Sequence, residues 1–455
     1  MDLRACGRPG WSLPAVFLMG CATTGHASYE SMHSDVDRAG TVDRRQAAED
    51  DSALTGPVLE RAAYVRAVLH RNRSVEAARQ GWRAAVARVR QSGALEDPMV
   101  TLEVAPLSIG SSTARFGYNA MISQRLPWPG KLPLEDAVAK AEADADRSDY
   151  EATRRELALT ASLLYDDYFV AARSLEINEQ HVALMRAMRA GAIAQFESGR
   201  ASAQDPLQAE FELTHMEHDA VILASKRDVT VAQMNELLHR APELSLPPPA
   251  KDLAPPVGPD AADTQRLETE AVERRPDIAA MRQHARAGQA RADRASREYL
   301  PDFTVSTSYN SMWDMPEHRW MVGLSFNLPV QTGRRGGAVD EANAARAKFE
   351  ADSERMGDAA RAQVVVAMKQ LEESTHVLHI YEERLLPIAR DEVQAARSAF
   401  TASQAPFVAV VDAEKNLRTV ELEEQVARAD HDRRRAELDR ALGRIPGLDG
   451  KDAGQ

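Results

Sequence analysis

The sequence contains the same unit twice, and that duplication restricts the possible folds more than any other feature. Arg79-Gln80 matches Arg282-Gln283, Pro98 matches Pro301, and Val100-Thr101-Leu102 matches Phe303-Thr304-Val305, all at an offset of 203. Leu126-Pro127 matches Leu328-Pro329 at 202, Gly130 matches Gly333 at 203 and Phe196 matches Phe400 at 204, so the register holds through both halves. The division that follows is 56–245 for the first repeat and 263–446 for the second, each read as helix, two strands, very long helix and shorter helix. A proline-rich linker covers 246–262 and a short tail 447–455.

The long helices are the clearest elements. Leu157, Leu164, Ala171, Met185 and Ala192 recur every seven residues or a multiple of it, with Ala161, Tyr168, Leu175, Val182 and Phe196 beside them. That is a coiled-coil seam, interrupted at Asn178 and Arg189. In the second repeat Val364, Leu371, Leu378, Leu385 and Ala399 mark the same spacing, with Met368, Thr375, Ala389 and Ala396 on the paired positions and Pro387 expected to bend the helix. The reach from Lys131 to Ser198, and from Gly337 to Ser403, makes each helix a rod of roughly 100 Å at 1.5 Å per residue. Flanking helices over about 58–95, 206–240, 265–299 and 407–443 are each near half that length, so two stacked end to end match one long helix. Such rods have only narrow apolar seams, and symmetric self-association is expected.

Between the helices the periodicity switches to two. Tyr118, Ala120, Ile122 and Leu126 alternate with Asn119, Met121, Ser123 and Arg125; Phe303, Val305 and Tyr309 alternate with Thr304, Ser306, Ser308 and Asn310; Trp320, Val322, Leu324, Phe326 and Leu328 alternate with Met321, Gly323, Ser325 and Asn327. One apolar and one polar face, in segments of about ten residues, fits a membrane barrel with a polar lumen. Alternation alone fits a small soluble sheet better. Four strands cannot close a barrel, so the membrane reading depends on several copies sharing one.

Composition narrows the function classes. Aromatics are only 5% and much of the 44% apolar share is alanine, which suits long helices better than several thick cores. The net charge of −13 and the scattered basic residues disfavour a nucleic-acid partner. No stretch of about eighteen apolar residues exists to make a transmembrane helix. The only cysteines, Cys6 and Cys21, exclude a disulfide framework and a thiolate metal cluster. Arg4 and Arg8 precede an apolar stretch, so 1–20 reads as a signal peptide. Leu18-Met19-Gly20-Cys21 resembles the bacterial lipobox, which makes Cys21 the lipid attachment site and 21–55 an extended, polar, lipidated tether. The competing reading is an incidental cysteine behind a misassigned start.

The chain resembles the TolC-like outer-membrane efflux proteins, the outer-membrane factors of tripartite efflux systems. The resemblance rests on Gln124-Arg125-Leu126-Pro127-Trp128-Pro129-Gly130-Lys131, Arg275-Pro276-Asp277-Ile278, Phe196-Glu197-Ser198-Gly199 and Phe407-Val408-Ala409-Val410-Val411-Asp412-Ala413. It implies a homotrimer in which four strands per chain complete a twelve-stranded barrel, continuing into a long α-helical coiled-coil barrel across the periplasm. It also implies a periplasmic adaptor, an inner-membrane pump, outer-membrane lipid around the barrel, and passive conduction without catalysis or cofactor. The Ser311–Pro329 stretch leans toward the heavy-metal branch. A lipoprotein adaptor or a coiled-coil scaffold is the alternative. An adaptor needs one hairpin rather than two, and a scaffold should lack alternating strands.

The helix-reversing turns at Ser198, Gly199 and Arg200, and at Ala402, Ser403 and Gln404, are the expected adaptor-contact tips. In the related proteins two carboxylates three residues apart often ring the entrance. Here Asp412 matches the later one and Ala409 replaces the earlier, whose first-repeat equivalent is Asp205. Asp205 and Asp412 are the candidate periplasmic aperture; a helix cap and a solvated surface acid are the plainer readings. His215 with His218, and His376 with His379, stand three apart and could share a metal, but no third ligand is nearby in sequence and exposed coiled-coil histidines are the favoured reading. Met312, Met315, Met321 and His318 form a second, weaker soft-metal grouping in or beside the second external loop.

Overall fold

The computed structural model describes residues 28–41, 54–253 and 264–448. The signal segment, the lipobox with Cys21, the middle of the linker and the end of the tail lie outside them. The element order is α1 (28–41), α2 (Arg61–Arg71), α3 (Arg73–Ser92), β1 (Met99–Val104), β2 (Tyr118–Leu126), α4 (Lys131–Glu197) and α5 (Gln204–Leu237). The second repeat follows with α6 (Thr264–Arg274), α7 (Pro276–Arg297), β3 (Phe303–Asn310), β4 (Trp320–Phe326), α8 (Thr332–Ile380), a π-helical turn (Tyr381–Leu385), α9 (Leu386–Thr401) and α10 (Phe407–Ala441).

Both repeats have the expected plan, and the structure adds breaks that periodicity does not reveal. The helix expected over 58–95 is divided at Asn72, whose side chain accepts from Ser74 N and donates to Leu237 O at 3.0 Å. The helix expected over 265–299 is divided at Arg275, because Pro276 lacks the N–H that would continue the ladder and pushes the preceding residue into extended backbone. These two breaks are equivalent positions of the duplication. At the far ends, α5 and α10 stop in matching Schellman turns with His239 and Gly443 in the left-handed region.

α4, and in the second repeat α8 continued through the π turn into α9, form the two long rods, and the shorter helices fill in beside them. Toward the sheet the packing order is α3, α4, α7, α8; away from it α5 and α10 flank α4. The α4 seam is as expected at Ala161, Tyr168, Ala171, Val182, Met185 and Ala192, all buried. Asn178 does not interrupt it. The residue is fully buried and donates to Met216 O at 3.0 Å, joining α4 to α5. In α8 the seam runs through Val364, Leu371 and Leu378, then leaves Leu385 exposed and resumes at Ala389 and Val393. The π turn just before Pro387 accounts for this: it absorbs the proline's missing N–H and adds a residue that rotates the seam.

The tether also differs from expectation. Residues 28–41 form a helix rather than extended chain, with Val36 buried against Trp82, Val86 and Tyr150. Tyr29 lies under Arg90 and Asp37 faces Arg83, so α1 runs antiparallel to α3. The start of the linker is likewise tied down. Leu59 N donates to Pro248 O at 2.9 Å and Tyr168 Oη to Pro247 O at 2.9 Å, fastening it across α4.

Candidate functional site

The four strands form one antiparallel sheet in the order β1-β2-β3-β4. Register decides which side chains share a face. Val100, Leu102 and Val104 stand opposite Ile122, Ala120 and Tyr118, and through β3 these align with Phe303, Val305, Tyr309, Trp320, Val322, Leu324 and Phe326. That face is apolar apart from Gln124 and Thr307, and it is uncovered in the protomer: Val100 is 71% and Val322 83% exposed. The opposite face carries Thr101, Glu103, Asn119, Ser123, Arg125, Thr304, Ser306, Ser308 and Asn310. The rings gather at the two ends of the apolar side. Trp128 stacks on Phe303 at 5.6 Å at one end, and Phe116, Tyr118, Tyr309 and Trp320 form a chain of contacts 5.3–5.8 Å apart at the other. From Phe303 to Tyr309 is about 20 Å of strand at ~3.3 Å per residue. An apolar band of that height between two aromatic girdles is what a bilayer selects.

The Gln124–Lys131 motif becomes the junction between sheet and rod. Its anchor is Asp302, which sequence reasoning did not single out. Lys131 Nζ lies 2.8 Å and Arg125 3.0 Å from this carboxylate, and Trp128 N donates to it at 2.9 Å. Burial disfavours the charge, but Lys131, Trp128 N and Arg125 together hold Asp302 below the usual carboxylate range. Gly130 turns the chain at φ 92° under the guanidinium of Arg297, which donates to Pro129 O at 2.9 Å; a Cβ there would meet that guanidinium at 1.9 Å. The clue in sequence was the Pro301-Asp302 pair at the strand start, but the partner Lys131 lies far from it in the chain.

At the opposite end both hairpins reverse through the same geometry. Gly199 N donates to Phe196 O and Arg200 N to Gln195 O; Ser403 N donates to Phe400 O and Gln404 N to Ala399 O. Gly199 has φ 75° and Ser403 φ 57°. Ser198, Arg200 and Gln404 are exposed around these turns, as is Ala402. Asp205 lies in the first turn of α5 and does not cap it, since Ala203 holds that position and Ser202 Oγ accepts from Gln204 N. Asp412 is exposed on α10. Neither carboxylate makes a side-chain hydrogen bond or ion pair among the described residues, while the helix starts that carry them pack together through Ala209, Leu213, Phe407 and Val411. Further up the hairpins are also joined by ion pairs, Arg418 with Asp219 at 2.5 Å and His181 with Glu421 at 2.8 Å.

Residues 267–444, nearly the whole second repeat, match the outer membrane efflux protein family. No curated protein matches the chain. Among solved structures the chain is similar to CusC, with a TM-score of 0.72 and 18% identity over 84% of this chain and 91% of CusC. It is also similar to the outer-membrane channel OprN, with a TM-score of 0.69 and 19% identity over 87% and 92% of the two chains. A third match is the outer membrane protein VceC of Vibrio cholerae, with a TM-score of 0.66 and 15% identity over 84% and 95%. The family model thus covers the second repeat, and the chain as a whole shares the fold of these solved structures.

Neither histidine pair is built into a metal site among the described residues. His215 and His218 both face Asp219 at 3.5 and 3.6 Å, but that carboxylate is already engaged by Arg418. His379 pairs with Glu383 at 3.0 Å, away from His376. Among the described residues no group of three His, Cys, Asp or Glu side chains is placed to hold a metal ion. The loop grouping separates as well. His318 packs edge-on to Trp313 at 5.9 Å, Met312 lies over Gly117, and Met321 belongs to the polar face of β4.

Proposed function

We propose that this protein is the outer-membrane channel component of a tripartite efflux system, conducting heavy-metal cations or drugs passively from a periplasmic adaptor and inner-membrane pump to the exterior. The observation that carries this reading is the sheet. Its apolar face is flanked by aromatic girdles, its two edges are unpaired, and it continues into rods long enough to cross the periplasm. Copies of the same chain complete it. β1 and β4 are open edges, and the helices leave large apolar side chains exposed: Leu207, Phe211, Val221 and Val229 on α5, Val366, Val377, Ile380 and Ile388 on α8 and α9. Three copies give twelve strands, enough to close around a lumen.

The direction of α1 supports lipidation at Cys21. Its first residues lie beside Arg90, near the sheet end of α3, so the short segment back to Cys21 starts on the membrane side. At the other end, Asp205 and Asp412 form the aperture, one from each hairpin, giving six carboxylates around a trimeric mouth. The turns at 198–200 and 402–404 contact the adaptor. Planar-bilayer recording tests both levels. The wild-type protein should insert as a cation-selective channel, and the double variant Asp205→Ala/Asp412→Ala should lose selectivity and cation block. Unchanged selectivity removes the aperture assignment; no conductance from a folded trimer removes the channel.

A further inference from the structure

Three methionines stand on the wrong face of the sheet for packing. Register places Met99, Met121 and Met321 among the serines, threonines and asparagines of the polar side, where no apolar layer covers them. Met99 is 66% and Met321 43% exposed. Met121 and Met321 both stand opposite Ser308, at one height on either side of β3. Met99 stands opposite Ser123, which makes it the diagonal neighbour of Met121 on the adjoining strand, with Cβ atoms roughly 7–8 Å apart. Two flexible thioethers at that spacing can meet one ion from opposite sides. Closing the ring of copies sets the β4 edge against the β1 edge of the next copy, so the strand of Met321 adjoins another strand that carries Met99.

From this we propose that the lumen carries a thioether girdle, Met99, Met121 and Met321, that binds soft monovalent cations such as Ag(I) or Cu(I) as they pass. The inference rests on the channel reading for the identity of the lumen. Thioether sulfur selects soft ions. The rest of that face supplies only hard oxygen and nitrogen groups, and its ionic side chains are engaged: Asn119 donates to Glu103 at 3.0 Å and Arg125 is held by Asp302 and Glu96. Zn(II) and Mg(II), which take harder donors, do not compete for the thioethers. The grouping also replaces the loop cluster that sequence proximity had suggested, because Met321 faces the lumen with Met121 while Met312 is packed over Gly117.

Methyl NMR of the full-length, detergent-solubilised protein labelled with [13C-methyl]methionine tests this residue by residue. Titration with Ag(I) should move the Met99, Met121 and Met321 methyl resonances saturably, and Zn(II) should leave them in place. The variant Met99→Leu/Met121→Leu/Met321→Leu, close in volume and so able to fold, should weaken Ag(I) binding at the barrel at least tenfold, read from any barrel resonance that still responds. Its single-channel conductance should be retained. Unmoved lumenal methyls, or equal shifts with Zn(II), overturn the girdle. Loss of conductance in the wild-type preparation would instead defeat the channel reading, leaving the methyl titration to judge the site separately.

Discussion

The two repeats share one plan and are fastened differently. In the first, the passage from strand to rod is a buried knot: Lys131, 3% exposed, is held by Asp302, and Gly130 is closed over by Arg297. In the second, the equivalent passage has no buried ion pair among the described residues: Asn327 Oδ1 accepts from Asp302 N at 2.6 Å, Arg335 Nε donates to Glu298 O at 2.6 Å and Tyr299 Oη to Thr332 O at 3.3 Å. The long helix of the first repeat is unbroken over 67 residues, whereas that of the second yields to a π turn before Pro387. Large buried side chains concentrate in the first as well: Tyr64, Tyr150, Tyr165 and Phe169 are all fully buried, against a core of smaller aliphatic residues around Val364 and Leu371. The duplication fixes topology; it does not fix how tightly each copy is held. The first repeat is the frame, and the second, joined to it through Arg418–Asp219 and His181–Glu421, is the looser partner.

The largest test of that contrast is at the junctions. Asp302→Ala leaves the buried Lys131 with only the more distant Glu298 at 3.4 Å, takes the acceptor from Trp128 N and Arg125, and should cost about 3 kcal/mol. Arg335→Ala removes a hydrogen bond from a less buried group and should cost about 1 kcal/mol. Denaturant unfolding of the two detergent-solubilised variants measures both, and equal losses would erase the distinction between frame and partner.

A second test is at the seam between the repeats. Asp166 of α4 is fully buried, and burial pushes its carboxyl up to about 7 despite Arg61 at 2.7 Å, with Asp432 of α10 adding to the rise. An acid whose folded-state value is raised holds its proton in the folded state at pH values where the unfolded chain has lost it. Stability should therefore fall as pH rises from about 4 to about 7, then level off as far as this group is concerned. Asp166→Asn should flatten that part of the pH profile, and a variant with the wild-type slope would show that the seam is not under this strain.

The smallest effect is at the tips, where Gly199 and Ser403 occupy the same left-handed position. Ser403→Gly should stabilise the second hairpin and Gly199→Ser destabilise the first, each by up to about 1 kcal/mol. Opposite shifts in melting temperature would confirm that the turns are equivalent; shifts of the same sign would separate them.

Legibility in sequence followed the range of the interaction. The rods, the tips and the two-faced strands were readable because each depends on local periodicity or on a single turn residue. Three features were not. The break at Asn72 depends on Leu237, the strand-to-rod knot joins Lys131 to Asp302, and α1 is helical because Val36 finds Trp82 and Val86. Each joins residues distant in the chain, which no window of sequence contains. The spacing of His215 and His218 shows the reverse limit, since helical periodicity puts two imidazoles beside Asp219 and only the neighbouring helix supplies the Arg418 that engages that carboxylate.

By itself the sequence determined the duplication, the length of the rods and the alternation of the strands, because backbone periodicity is a property of consecutive residues. Tertiary structure decided which methionines share the polar face, which repeat is tied down and where an apolar seam is rotated by an added residue, because register and burial are settled only when distant segments meet.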